Sequence, residues 1–540
     1  MSKQKRWTRL ISVSIIMIML LSLLAACGSK DKKEADQERV LRIATSSGYG
    51  PDDDYLRQQF TDLFEFTHPN ITIEFISTYD ESQRYQGMGG KMVSSDPANQ
   101  PKQPLEILKE KMNGTTPPDV VILDFEHLAD LIRENLLTSL DTQMQKDKMN
   151  VDEFVPSVID GLKEQSEDGR LYALAPMFTA SAMIYNKKLF TDAGLAFPTD
   201  DMTWEDTFQM ARQISKGEGK DRTYGLTFNS YRYSDPFYDM SVYTAPLGLQ
   251  MYDDKGENMS VDTEEWRKAW QTFYDLKKEK IFPEQPNYNE PQPEPEQQGP
   301  FDYHSLLSGK VAMSVINYYD ISEVINANRN AANIENFEPI DWDVVSVPTH
   351  PEAPGIGGQV WLNGIMGISA TAENPEDAWT FISFIMSEDW AKLKSKSVSQ
   401  FVTWKKFNQT RDGLEYNLDA FFKNTPAKST TNNTLYIEKP DIWQVQNIGQ
   451  MKFNEVITDV KTVSEALKEW QTEGNAILKK LMENNGHLDQ NGGGGMPMPV
   501  DDISAEKLKL MEAAGETVTE SDSVEVTEPA VEVEPAVTVE

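Results

Sequence analysis

An alternation of short apolar runs with amphipathic stretches limits this chain's fold more than any other feature. Val40-Leu41-Arg42-Ile43-Ala44 reads as a buried strand. Asp54 to Phe66 sets Leu56, Phe60, Leu63 and Phe64 on one helical face, and Ile71-Thr72-Ile73-Glu74-Phe75 alternates as a strand does. Val120-Val121-Ile122-Leu123 is continuously apolar, the pattern of a strand covered on both faces, and an amphipathic helix is expected from His127 to Leu137. This β-α-β-α order calls for an α/β domain with a largely parallel sheet. Further helices are expected at Trp204 to Ile214, Glu264 to Lys278, Asn374 to Met386 and Thr462 to Leu481. Thr203, followed three residues on by Asp206, should cap the first of these. A chain of 540 residues is too long for one ordinary core and suggests roughly two to four domains.

Three segments break the pattern. Gln83 to Pro104 is rich in Gly, Ser, Gln and Pro and reads as a long loop or insertion. Pro283 to Pro300 holds six prolines among glutamates and glutamines, an exposed polyproline-like loop. From Asn484 the sequence thins into Gly492 to Gly495 and then an acidic stretch, residues 501–540, with 12 acids and 2 bases. This tail is expected to be disordered, which leaves a folded body of about 40–483. Across the chain 86 Asp and Glu outweigh 51 Lys and Arg, for a formal charge of −35. That sign argues against nucleic acid as a partner, because phosphate contacts need clustered cations.

The start of the chain carries an address. Lys3, Lys5, Arg6 and Arg9 precede 17 uncharged residues, Leu10 to Ala26, too short for a comfortable membrane span of about 20 residues but fitting a secretory signal. The stretch ends in Leu24-Ala25-Ala26-Cys27-Gly28, which resembles the bacterial lipoprotein lipobox. Cys27 is the only cysteine, so no intramolecular disulfide and no multi-cysteine metal site can form. The reading is a signal peptide over 1–26, lipidation at Cys27 and a charged tether over 27–39. Acyl chains contribute about 0.8 kcal/mol per buried methylene. They would hold the protein on the outer face of a bacterial cell membrane, of the Gram-positive type.

Several segments, taken in order, resemble one family. Thr116-Pro117-Pro118-Asp119-Val120-Val121 is similar to a strand of extracellular solute-binding proteins of the maltose-binding type. Arg170 to Pro176, Ile184 to Phe190, Ala193-Gly194-Leu195 and Thr203-Trp204-Glu205-Asp206 resemble that family's most specific stretch. Gly309-Lys310-Val311-Ala312-Met313, Gly367-Ile368-Ser369 with Asn374 to Ile382, and Ser464-Glu465-Ala466-Leu467 follow in family order. The resemblance implies an α/β, two-lobed periplasmic-binding-protein-like fold with hinge crossings and an interlobe cleft. It implies crossings near Phe178 to Ser181 and near Leu362 to Gly367. Lobe 1 would take 40–178 plus 367–430 and lobe 2 would take 179–366 plus 431–483, with 484–540 as linker and tail. Delivery to the permease subunits of an ABC importer is implied as well, and a monomer is expected.

Sugars present hydroxyls around an apolar ring face, so their sites pair aromatic platforms with carboxylate or amide acceptors. By family position the candidate ligand-binding residues are Tyr49, Asp124, Glu126, Phe178, Tyr231, Tyr233, Tyr319, Trp361 and Trp443. Each has a structural alternative. Tyr49 can decorate a solvent-facing loop, and Asp124 and Glu126 can cap the helix that follows them. Phe178 can be core, Tyr231 and Tyr233 can cover the interlobe surface without touching ligand, and Trp361 and Trp443 can be core. Tyr318 and Tyr319 should divide, with Tyr319 in the cleft. The expected ligand is an oligosaccharide or related glycan fragment, bound without catalysis and without a cofactor. A secreted glycan-active hydrolase and a sensor serving a membrane receptor kinase are the rival functions. No Gly-x-Ser-x-Gly elbow is present. Five scattered histidines make a compact zinc site improbable. Asp253-Asp254-Lys255-Gly256 reads as a hairpin turn rather than a calcium loop.

Overall fold

The computed structural model describes residues 38–47, 54–79, 102–230, 235–283, 299–397, 399–425, 435–436, 439–484 and 486–488. Twelve strands are described: β1 (Arg39–Thr45), β2 (Ile71–Ile76), β3 (Val120–Leu123), β4 (Leu137–Thr138), β5 (Ala173–Leu174), β6 (Met177–Asn186), β7 (Tyr224–Thr227), β8 (Val311–Asn317), β9 (Trp342–Val345), β10 (Val360–Asn363), β11 (Ile365–Ser369) and β12 (Phe401–Val402). They form two sheets. The first runs β2-β1-β3-β11-β4, with β5 also on β11; the second runs β10-β6-β8-β7, with β9 and β12 on β6.

The apolar runs lie where their patterns require. All four residues of β3 are buried, and β2 alternates buried and exposed along its length. The sheets are mixed, however, not largely parallel. β1 pairs in parallel with β2 and β3, whereas β11 runs antiparallel to β3, β4 and β5. In the second sheet only β7 and β8 are parallel. The reason is connectivity: β11 enters the first sheet from the second, one residue after β10, and not by way of a crossover helix.

The helix expected over His127 to Leu137 forms instead over Phe125–Arg133, and Leu137 belongs to β4. Asn135 stops it by taking a left-handed φ of 57°. Pro104, expected in a loop, opens a helix over Pro104–Met112, a position where its missing N–H costs nothing. The helix Trp204–Ile214 has its expected cap: Asp206 N–H donates to Thr203 Oγ1 at 3.1 Å, and Thr203 N–H donates to Asp206 Oδ2 at 3.3 Å. The other three helices form over Glu264–Lys278, Pro375–Ile385 and Val463–Glu483.

Two apolar cores result. One gathers first-sheet residues such as Ile43, Val121 and Ile368 with Phe64, Phe381 and Phe401. The other holds Met183, Trp204, Trp270 and Phe273 under the C-terminal helices Trp443–Ile457 and Val463–Glu483. Trp270 and Trp470 are fully buried and stack at 5.4 Å. Gly449 makes room for this pair: a Cβ there would lie 2.5 Å from the Trp470 ring. β12, in the stretch expected with the first lobe, pairs with β6 of the second sheet.

The chain passes directly between sheets at two short links, Ala175-Pro176 between β5 and β6 and Gly364 between β10 and β11, and returns to the second sheet at β12 after the helices Pro375–Ile385 and Glu388–Lys394. Phe178 to Ser181, the expected first crossing, already belongs to β6. Gly364 sits within the expected second crossing at φ 66°, and a Cβ on it would meet the Phe60 ring at 2.5 Å and Pro176 at 3.5 Å. A β-carbon is excluded twice there, by backbone conformation and by space.

Candidate ligand-binding site

The register of β6 explains the site. Residues directly opposite one another on paired strands share a face. Trp361 pairs with Thr179, and Ser181 pairs with Asn317. Thr179 and Ser181 are two apart, so all four side chains stand on one face. Farther along β6 the same face carries Met183 and Tyr185, which the second core covers. Toward Thr179 the apolar residues give way to polar ones, and Trp361 is 43 % exposed. The result is a polar and aromatic shelf where that core ends, open at Trp361 and Asn317 and covered over Ser181 and the Thr179 hydroxyl.

Tyr319 joins it. Asn317 Nδ2 donates to Tyr319 Oη at 3.3 Å, and Tyr319 is 45 % exposed. The expected division of the tyrosines is observed. Tyr318 is buried and stacks on Phe401 at 3.5 Å, on the opposite face. The turn between them is held by Asp320, whose carboxylate accepts the Asn317 N–H at 2.9 Å. Ser181 Oγ accepts the Gln359 N–H at 2.7 Å, which fixes the segment entering β10. Thr179 Oγ1 is buried with no hydrogen-bond partner among the described residues.

Beneath the shelf lies a cluster of ionisable groups. His304 Nε2 is 3.8 Å from Glu323 Oε2, and Tyr303 donates to Glu323 Oε1 at 3.4 Å. Burial pushes the Asp320 carboxyl above the usual carboxylate range, partly opposed by the Ser230 hydroxyl and the Asn317 N–H. Burial also raises Glu323 and lowers His304 to about 4. His304 Nδ1 accepts the Leu307 N–H at 3.2 Å, which suits the neutral ring. In the linear sequence these residues gave no signal; an acid in a helix's first turn ordinarily faces water.

The first sheet carries polar groups at its end next to Gly364. Asp124 ends β3 and opens the helix after it, but its side chain does not cap that helix. It accepts the Ser46 and Ser47 hydroxyls at 3.0 and 2.8 Å, while Ser46 Oγ accepts the Asp124 N–H at 2.8 Å. This exchange ties the end of β1 to the end of β3. Leu123 pairs with Ile365, so Asp124 is in register with Gly364 at the second crossing, three residues from Trp361. Ligands of open α/β sheets gather beyond the carboxyl ends of strands. Glu126 stands in the first helical turn beside Asp124.

The remaining candidates divide. Phe178 is 0 % exposed and packs between Phe401 and Phe422, with ring centroids 5.4 and 5.9 Å away. Its ring belongs to the core and does not reach the shelf, because odd and even positions of β6 face opposite ways. Trp443 is half-exposed at the start of its helix, and among the described residues no hydrogen bond or ring contact joins it to Trp361 or Tyr319. Tyr49, Tyr231, Tyr233 and Cys27 lie outside the described residues. Asn229 and Ser230, which lead to Tyr231, are anchored: Ser314 Oγ donates to Asn229 O at 2.8 Å, and Ser305 N–H donates to Ser230 O at 2.8 Å. Asp253 closes a hairpin turn bridged by Tyr252 and Met259, its carboxylate accepting from the Glu257 N–H and Asn258 Nδ2. Among the described residues no group of three or more His, Cys, Asp or Glu is placed to hold a metal ion. No helix among them is long and apolar enough to cross a membrane.

Known proteins decide the family. The bacterial extracellular solute-binding proteins match this chain over residues 47–392. The chain belongs to that family. A binding protein of Brucella abortus is 23% identical over 372 residues, covering 68% of this chain and 76% of that protein. A sugar transporter from Rhizobium etli, solved in an open conformation, covers 81% of this chain and 99% of its own, at 18% identity and TM-score 0.53. A cyclic alpha-maltosyl-1,6-maltose binding protein from Arthrobacter globiformis covers 82% and 99%, at 15% identity and TM-score 0.50. These likenesses show the fold of this solute-binding protein: two α/β lobes with a cleft between them.

Proposed function

We propose that this solute-binding protein captures an oligosaccharide or related glycan fragment in the cleft and releases it unchanged to the permease subunits of an ABC importer. The observation that carries the reading is the shelf of Trp361, Thr179, Asn317 and Tyr319, three residues along the chain from Gly364, which is in register with Asp124 at the end of the first sheet. An aromatic platform beside hydroxyl and amide groups suits a sugar's apolar face and its rim of hydroxyls. Two structural neighbours are named for sugar. Tyr49, Asp124, Glu126, Tyr231, Tyr233 and Trp443 complete the proposed contact set, and Phe178 supports it from the core.

Capture works by closure. Ligand stabilises the closed form only by contacts the open form lacks, and about 5.5 kcal/mol of difference converts a 1:99 mixture to 99:1. Crossings at Ala175-Pro176 and Gly364 are the proposed hinge. Lipid on Cys27 would tether a monomer to the outer face of the membrane.

Thermal denaturation of the protein with a panel of mono- and oligosaccharides tests the reading. A bound sugar at a hundredfold excess over its Kd adds about 2.7 kcal/mol of stability. No shift with any sugar, together with a shift from a peptide or polyamine, would remove the carbohydrate assignment.

A further inference from the structure

Behind the shelf, on the face of β6 and β8 opposite Trp361, the structure forms a half-open cavity of about 590 Å³. Its walls come from the helix Asp320–Asn330, from the end of the helix Glu388–Lys394 with the residues after it, and from Phe407 to Asp412. The charge of this lining is opposite to that of the chain. Arg411, Lys392, Lys396 and Arg329 line it, against Asp412 as its acid. Arg329 is paired with Asp412 at 2.6 Å. Among the described residues the other three cations have no carboxylate partner, in a chain whose formal charge is −35.

Arg411 is the most constrained of them. Its guanidinium lies over the Tyr318 ring at 4.3 Å. Nε donates to Tyr318 Oη at 3.0 Å, Nη1 to Ser322 Oγ at 2.6 Å and Nη2 to the Ser397 carbonyl at 3.4 Å. Three of its five N–H donors thus end on uncharged oxygens, which fix the planar fork without neutralising it. A held guanidinium with two lysines around a polar hollow is an arrangement for an oxyanion, since charge-assisted hydrogen bonds to phosphate or carboxylate are roughly twice as strong as neutral ones.

We propose that this cavity is an anion site, separate from the carbohydrate cleft, that binds a phosphate or sulfate group, either free or borne on a small polar molecule. The lysines supply charge and Arg411 supplies direction. Its volume accommodates more than a bare ion, so the two sources call for separate probes.

Isothermal titration of the full chain with inorganic phosphate, inorganic sulfate and glucose 1-phosphate tests it. The deciding variant is the double substitution Lys392→Gln with Lys396→Gln. Both side chains are exposed, so the melting temperature should not change. Saturable one-to-one binding that weakens about tenfold or more in this variant is the expected result, since it loses charge-assisted hydrogen bonds to the anion. Arg411→Gln should weaken it further, and Trp361→Ala should leave it unchanged, which separates this site from the shelf. Binding of glucose 1-phosphate alone, weakened in the double variant and kept in Trp361→Ala, would support the proposal and assign the source to an organic phosphate; the same binding lost in Trp361→Ala would place it on the shelf and overturn the proposal. Failure of all three probes to saturate at millimolar concentration, or binding that the double variant leaves intact, would overturn it.

Discussion

Gly364→Ala probes the second crossing at its tightest point. A non-glycine residue at φ 66° bears a left-handed penalty of about 1–2 kcal/mol. The new methyl also needs space already filled by Phe60, whose ring atoms lie 2.5 and 2.7 Å from the Cβ position. Phe60 is buried at 4 % exposure, with Pro176 of the first crossing on the other side, so neither can retreat into solvent. Overpacking of this kind costs about 1–3 kcal/mol. Together the two effects predict a loss of about 2–5 kcal/mol, read as a lower urea midpoint at constant slope. Phe60→Ala is itself destabilising, but in the double variant the steric part should vanish while the backbone part stays. The cycle should therefore show a favourable coupling of about 1 kcal/mol or more. A Gly364→Ala protein that unfolds within about 0.5 kcal/mol of its parent would refute both the conformation and the packing assigned to the crossing.

Three further outcomes follow from other parts of the molecule. Gly449→Ala should lower the melting temperature, because overlap with the Trp470 ring at 2.5 Å outweighs the gain of about 1 kcal/mol in helix propensity. Trp361→Ala should fold normally yet bind oligosaccharide about tenfold more weakly, from about 1–2 kcal/mol of ring surface that the ligand would cover; titration calorimetry reads it. His304, lowered from 6.5 to about 4 by burial, is neutral when folded, so the unfolded chain binds more protons in that window. Its contribution of about 3 kcal/mol is present above pH 6.5 and is lost as pH falls toward 4. His304→Asn keeps an acceptor for the Leu307 N–H and should flatten that part of the stability profile against the parent.

Much of the fold was legible because it rests on local chemistry. Thr203 with Asp206, the Pro375 start and the Glu264–Lys278 face each specify their helix without outside help. The direction of β11 was not legible: an apolar strand reads the same either way, and only its tertiary neighbours set it against β3. β12 escaped for a related reason, since two residues are too few to show a period. At the site, family order pointed to Asp124, Trp361 and Tyr319, but their relation depends on register. Pairing of Trp361 with Thr179 is a fact about two strands 182 positions apart, which no window along the chain contains. The same alternation that exposes Trp361 buries Phe178, one residue away on β6. Asp124 had two readings, cap or ligand contact. The structure adds a third role, a clamp on Ser46 and Ser47.

Small-angle X-ray scattering during an oligosaccharide titration addresses lobe closure most directly. With a sugar that raises the melting temperature, the radius of gyration should fall and saturate along the binding curve, and in Trp361→Ala the fall should need about tenfold more ligand. Scattering curves that superimpose with and without a sugar shown to bind would contradict closure around the shelf.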